Sequence, residues 1–305
     1  MSVRREILQI ARLAPTLLSE SIDNVVSFVR SRQTADGGFA NRAGESDLYY
    51  TVFGLQALVA LRVDPPSSTL IPYLARFGDG EGLDLVHLAS LAGCWAMIPQ
   101  AVSTESGNPD PLAMFSEASR RKILGRIESY RTPDGGYHAS RDAEHGTAYA
   151  AFLALGAYED LDAAPPEPER LAHSIDALRS GDGAFANDRG LPVGSTPATA
   201  AAVAIYRHLD AGLPAHLTEW LLAQRREGGF LASPQTAIPD LLSTAVALHA
   251  LTSLRAPLDG IRESCLDFID TLWTSQGAFL GSWVDDVPDC EYTYYGLLAL
   301  GHLAV

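Results

Sequence analysis

Asp36-Gly37-Gly38-Phe39, followed after a short polar loop by Tyr50-Thr51-Val52-Phe53-Gly54-Leu55-Gln56-Ala57-Leu58, is the stretch on which the reading of this chain turns. Paired glycines mark a tight turn, and the segment after it is apolar on nearly every side, so it must be a helix buried all round. The turn recurs as Asp134-Gly135-Gly136-Tyr137, Asp182-Gly183-Ala184-Phe185, Glu227-Gly228-Gly229-Phe230 and Gln276-Gly277-Ala278-Phe279. Its spacing is near-constant except for the first gap, which is about double. The glycine-rich Phe77-Gly78-Asp79-Gly80-Glu81-Gly82 falls inside that gap as a degenerate copy. The repeat count is therefore six.

Before each turn lies an amphipathic segment, such as Ser21 to Arg30, with apolar residues at i, i+3, i+4 and i+7. After it come the apolar segments Tyr49 to Leu61, Thr199 to Tyr206, Leu241 to Leu254 and Tyr292 to Leu303. Partly exposed and fully buried helices in alternation predict an all-α protein, an α/α six-barrel (α/α toroid) of six helix-turn-helix repeats. Asp47, Asp84, Asp240 and Asp289 each precede an inner helix, where a carboxylate accepts the free amide hydrogens of the first turn. Strands are weakly indicated. The Pro-rich stretch 163–169 has repeats on both sides, so residues 1–305 are expected to form one α/α-barrel domain, with 1–20 as an N-terminal helix or extension.

The composition is that of a globular chain, with 47% hydrophobic and 19% charged residues. A surplus of 37 acidic over 22 basic residues, net charge −15, argues against nucleic acid as a partner. No apolar run is long enough to span a bilayer, and the N-terminus suits an amphipathic helix better than a signal peptide, so a cytoplasmic location is expected. Three widely spaced cysteines, Cys94, Cys265 and Cys290, give neither a disulfide framework nor a metal knuckle.

The turns and the Tyr-Thr-x-x-Gly-Leu-x-Ala-Leu helices, best matched at residues 50–58 and in Tyr292-Thr293-Tyr294-Tyr295-Gly296-Leu297-Leu298-Ala299-Leu300, resemble the prenyltransferase and terpene-cyclase repeat superfamily. Gln276 with Gly281-Ser282-Trp283 is similar to the glutamine-tryptophan motif of triterpene cyclases. The resemblance implies the toroid fold, an apolar or isoprenoid ligand in the lumen, and either a second copy or a helical-repeat partner subunit. It also implies a test for zinc. In protein prenyltransferase β subunits an Asp and a Cys on the fifth inner helix and a His on the sixth bind the metal. Here Asp240 keeps the Asp, but Leu242 and Tyr292 stand for the Cys and His, and one carboxylate cannot hold zinc. No metal site is expected, the cofactor is left open, and magnesium would enter only with a diphosphate substrate. Cys290 reads best as a small buried residue.

The leading expectation is a divergent prenyltransferase-like enzyme acting on a prenyl diphosphate. The family's Arg and Lys before the zinc Asp are replaced by Pro234 and Ala237, so Arg42, Arg141 and Arg189, each in the loop after a glycine turn, are the candidates for diphosphate. Pairing of each with a carboxylate of its own repeat is the favoured structural alternative. A second reading is a class II terpene-cyclase-like enzyme, in which Asp240, Asp285, Asp286 or Asp289 would supply the general acid and aromatic rings would steady carbocations. A third is a non-catalytic binding protein on the same barrel. Candidate substrate-binding residues are Tyr49, Tyr50, Phe53, His87, Trp95, His145, Tyr292 and Tyr295; Glu291 is expected to face the lumen, with no role assigned.

Overall fold

The computed structural model describes residues 3–98 and 115–305. Among the described residues the inner helices are α4 (Leu48–Ala60), α6 (Leu85–Met97), α8 (Ala148–Asp160), α10 (Thr196–His208), α12 (Leu241–Ser253) and α14 (Cys290–Leu303). Each packs on the next and α14 packs back on α4, which closes the ring. The outer helices are α3 (Ile22–Ser31), α5 (Ser67–Ala75), α7 (Glu117–Glu128), α9 (Pro168–Asp176), α11 (Leu217–Ala223) and α13 (Asp259–Asp270). The expected α/α toroid is therefore the observed fold. Extended structure among the described residues is confined to isolated bridges and two two-residue pairs, Phe39–Ala40 with Ser46–Asp47 and Arg225–Arg226 with Gly229–Phe230.

The glycine turn locks each outer helix to its inner partner. Gly37 has φ +98°, and a Cβ there would lie 2.1 Å from the carbonyl oxygen of Thr69, so only glycine fits. The turn aims Phe39 into the core, where it is fully buried. Its amide donates to the Thr51 hydroxyl at 2.9 Å, and its ring lies against Gly54, where a Cβ would come within 2.5 Å. The Thr and Gly of the helix motif are thus the seat of the turn's aromatic ring. Phe185 on Thr199, Phe230 on Thr244 and Phe279 on Gly296 repeat the arrangement.

The four predicted Asp caps are all present. Asp47 accepts from the amides of Tyr49 and Tyr50, Asp84 from His87, Asp240 from Ser243 and Asp289 from Tyr292. Thr147 and Ser195 do the same for α8 and α10. All the caps lie at one end of the ring. The other end is crossed by α1 (Val3–Ala11), which packs on α14, α4 and α8 and precedes the single turn α2 (Pro15–Leu18). The α1 helix is held by Arg4 to Asp160 at 2.6 Å, by the Val3 amide to Glu159 at 2.6 Å and by Glu6 to Arg207 at 2.7 Å. The N-terminal extension is therefore a plug, and the toroid is a cup.

Phe39→Ala should destabilise the chain by about 3–5 kcal/mol and Gly54→Ala by about 1–3 kcal/mol through overpacking. In the Phe39→Ala background the Gly54→Ala cost should nearly vanish, because the two share one contact. Urea unfolding of the four-member cycle measures this; additive costs would refute the wedge.

Candidate functional site

The inner helices start from equivalent caps, so the second residue after each cap occupies an equivalent inward position. These residues are Tyr49, Val86, Tyr149, Pro197, Leu242 and Glu291, and all of them are partly or largely exposed. One turn deeper stand Phe53, Ser90, Leu153, Ala201, Val246 and Tyr295, all but Ser90 partly exposed. Partial exposure on the inward face of helices otherwise buried all round marks an accessible lumen at the capped end.

Glu291 is the polar centre of this wall. Its Oε1 accepts from the Tyr49 hydroxyl at 2.5 Å, while the other oxygen has no hydrogen-bond partner among the described residues. Burial pushes its carboxyl up to about 7; the Tyr49 hydrogen bond lowers it, Asp289 raises it and Arg42 lowers it. The Tyr49 hydroxyl is raised far above its usual range, first by burial and then by the neighbouring Tyr295 and Glu291, so it remains a donor. Tyr149 comes from α8, on the far side of the ring, and reaches Tyr49 and the field of Glu291. Phe53 packs at 5.0 Å from Tyr49 and 5.5 Å from Tyr295. A carboxyl poised near neutrality thus sits among aromatic faces.

Of the sequence candidates, Tyr49, Tyr50, Phe53, Tyr292 and Tyr295 gather here. Asp289 does not present a free acid, being fully buried as the α14 cap and receiving Arg42 Nε at 2.7 Å. Asp285 takes the other face of the same guanidinium, at 2.7 and 3.0 Å. Asp286 is exposed. Asp240 is half-buried and bonded to Ser243, with its carboxyl raised by burial. His87 stands at the mouth between Asp84 at 2.8 Å and Asp47 at 3.4 Å. Its imidazole is raised to about 9, chiefly by the Asp47 hydrogen bond, against the opposing effect of burial.

The remaining candidates lie elsewhere. Trp95 stacks on Phe115 at 4.8 Å, beside the outer layer. His145 is exposed, 3.8 Å from Asp134. The three arginines do not converge: Arg42 binds the sixth repeat, Arg189 binds Asp134 at 2.7 Å and Arg141 lies over the Tyr130 ring at 4.6 Å. Arg42 and Arg189 do pair with carboxylates, as the structural alternative expected, but across repeats. At the zinc position Asp240 has only Leu242 and Tyr292 beside it in the register, and no cluster of three His, Cys, Asp or Glu suited to a metal occurs among the described residues. The residues present do not fit zinc. Cys290 is fully buried, and burial pushes its thiol up to about 12.

Sequence reasoning missed the roles of Glu291 and Tyr149. Superimposing the repeats on their caps would have shown both, since three of the six equivalent positions carry Tyr49, Tyr149 and Glu291.

These features define the class, and the comparisons agree. The chain matches the prenyltransferase alpha-alpha toroid domain over residues 5–82, 110–209 and 198–304, and it belongs to that family. Among solved structures it is similar to the type II terpene cyclase MstE from Scytonema. The ligand-free form is 12% identical with a TM-score of 0.60, covering 96% of this chain and 97% of that one. The complex of MstE with its substrate geranylgeranyl dihydroxybenzoate is also 12% identical, with a TM-score of 0.59 and coverage of 95% and 97%. No curated protein matches the chain. Among the described residues no helix is long and apolar enough to cross a membrane.

Glu291 should titrate near 7 in the folded protein, against about 4.3 for a free glutamate, as read from its side-chain carbon shift by NMR. Because its folded pKa is raised, the stability it contributes is fully present below the unfolded pKa and is lost as pH rises through about 7. Glu291→Gln should remove that part of the pH dependence between pH 5 and 8. An unchanged pH profile of the melting temperature in the variant would contradict the assignment.

Proposed function

We propose that this protein is an isoprenoid-handling enzyme in which Glu291 protonates an alkene and the aromatic cup steadies the carbocation that results. The observation that carries the reading is the raised carboxyl of Glu291, anchored on one oxygen by Tyr49 and with no hydrogen-bond partner on the other among the described residues. Near neutral pH a carboxyl of this kind retains a proton to deliver. Addition of that proton to a trisubstituted alkene gives a tertiary cation. A second alkene of the same chain can attack it, forming a carbon–carbon bond, and loss of a proton ends the sequence. Atoms balance without a co-reactant, and the product is an isomer of the substrate. The faces of Tyr49, Phe53 and Tyr295 supply the negative quadrupole that a travelling cation needs.

Two features support this over transfer from a prenyl diphosphate. Arg42 and Arg189 are both engaged by carboxylates, and at the mouth the one imidazole, His87, is already shared by Asp47 and Asp84, which leaves no free cation there among the described residues for a diphosphate. The similarity to a terpene cyclase bound to a geranylgeranyl substrate points the same way. The acid differs from the Asp candidates of the sequence: Asp285 and Asp289 are both taken by Arg42.

Incubation with isoprenoid alcohols in D2O should yield isomeric products carrying one solvent deuterium, detected by mass spectrometry. Glu291→Gln should lower turnover by about 10²–10⁴, and kcat/KM should fall as pH rises above about 7, as Glu291 loses its proton. Tyr49→Phe should move that fall to higher pH, since the hydrogen bond it removes favours the carboxylate. Full turnover in Glu291→Gln, or release of inorganic diphosphate from a prenyl diphosphate as the main reaction, would sink the proposal.

A further inference from the structure

The repeat register continues one layer below the aromatic cup. Seven residues beneath the mouth positions stand Gln56, Gly93, Gly156, Ala204, His249 and Leu298, all buried. At about 1.5 Å per residue this layer lies roughly 10 Å below Glu291 and Tyr49. The two glycines leave room for a side chain from the plug. The Arg4 guanidinium lies where a Cβ on Gly93 would come within 2.7 Å of its carbon and one on Gly156 within 4.0 Å of a terminal nitrogen.

This floor carries polar groups that the protein leaves open. Arg4 spends its Nε on Asp160 at 2.6 Å, and its two terminal nitrogens have no hydrogen-bond partner among the described residues. The Gln56 side-chain oxygen and the Tyr294 hydroxyl are buried with no partner, in residues only 4% and 3% exposed. Tyr294 packs 5.9 Å from Phe53 and lies within the field of Arg4. His249 turns Nδ1 toward His302 at 3.2 Å and is held neutral by burial and by Arg207 and His208. Buried polar groups without partners are destabilising, and here two of them lie beneath an apolar cup, one of them beside Arg4.

We infer that Arg4, Gln56 and Tyr294 form a polar subsite at the floor of the cup that binds an uncharged oxygen at one end of the isoprenoid, so that the far alkene lies beside Glu291. The inference rests on the lumen being the isoprenoid site proposed above. A hydroxyl fits, because it can donate to the Gln56 side-chain oxygen while accepting from the Tyr294 hydroxyl or Arg4; Asp160 already balances Arg4, and an anion would add an unbalanced buried charge. The depth of roughly 10 Å matches a chain of about two isoprene units between the oxygen and the protonated alkene.

The test compares geraniol with its deoxygenated hydrocarbon, 2,6-dimethylocta-2,6-diene, by equilibrium dialysis with gas-chromatographic detection. Wild-type protein should bind geraniol about tenfold or more tightly, because a site built to hydrogen-bond an oxygen rejects the analogue that lacks it. Gln56→Leu and Tyr294→Phe should each weaken that preference, and together abolish it, without changing hydrocarbon affinity. Neither should lower the melting temperature of the free protein, since both remove an unpartnered polar group. Equal affinities in the wild type, or a preference that survives in the double variant, would overturn the subsite. Binding of neither compound would overturn the lumen as the isoprenoid site, and the subsite with it. Glu291→Gln should keep the preference, so a failure of the acid and a failure of the floor read out separately.

Discussion

One contact sets much of the geometry: the aromatic residue of four of the glycine turns, seated on the inner helix that follows it. Phe39 is fixed at both ends, its amide on the Thr51 hydroxyl and its ring on Gly54. That defines how far along and at what rotation α4 stands relative to its turn. Because the wedge recurs with Phe185, Phe230 and Phe279, it gives inner helices around the ring a common height and rotation. The layers of the lumen are a consequence. A residue's distance from the helix cap decides whether it faces the mouth, the cup or the floor, so the chemistry of the interior is written in register.

Within that frame, the acid at Glu291 is the outcome of a competition. The capped ends of the inner helices concentrate partial positive charge at the mouth, which favours carboxylates by about 0.3–1 kcal/mol each. Asp47 responds as expected, lowered by the His87 hydrogen bond and by its cap amides. Asp289 is buried outright but receives the full charge of Arg42. Glu291, two residues on, sees the same helix end. It has no guanidinium of its own and sits beside Asp289, which raises it, and the rise of its carboxyl to about 7 corresponds to roughly 3 kcal/mol favouring the neutral form. Burial outweighs the dipole because Arg42 has been taken by Asp285 and Asp289.

Much of the fold was legible in the sequence because turns and caps are local. Gly37 must be glycine for its backbone angle, and Asp47, Asp84, Asp240 and Asp289 must lie next to the amides they cap, so each leaves a mark at fixed sequence spacing. The aromatic part of the candidate site followed for the same reason, with Tyr49, Phe53 and Tyr295 on the inward faces and Tyr292 beside them against Arg42. What the sequence hid depends on contacts across the ring. Tyr149 meets Tyr49 only because α8 faces the α14–α4 corner. Arg42 is withdrawn from the rim by Asp285 and Asp289, residues at the opposite end of the chain. A search for an Asp-rich acid motif looked at carboxylates that turn out to be paired, and passed over the glutamate between them and the aromatic cluster. Trp95 was misplaced by a smaller effect: it shares the helix of His87, but its rotation carries it to Phe115 in the outer layer.

The plug completes the logic of the cup. A ring of six parallel inner helices gathers its carbonyl ends, and their partial negative charge, at the end away from the caps. Arg4 and Arg207 lie at that end, where a cation is favoured; Glu6 of α1 pairs with Arg207, and Glu159 of α8 accepts from the Val3 amide of α1. Without α1, Arg207 and Glu159 would lose those partners and the apolar ring would open at both ends. With it, the end of the ring away from the caps is crossed by α1, and the capped end carries Asp47, Asp84 and Asp240 with the imidazole of His87 between the first two. A ligand must then pass Asp47, Asp84 and Asp240 before it reaches the aromatic walls. On the reading proposed above, an uncharged, mainly hydrocarbon molecule gains from burial at every layer, whereas an anion meets the carboxylates of Asp47 and Asp84 around a single His87 imidazole at the mouth and an Arg4 already paired with Asp160 at the floor. On that reading, a preference for neutral chains would arise at both ends of the cup, ahead of any chemistry at Glu291.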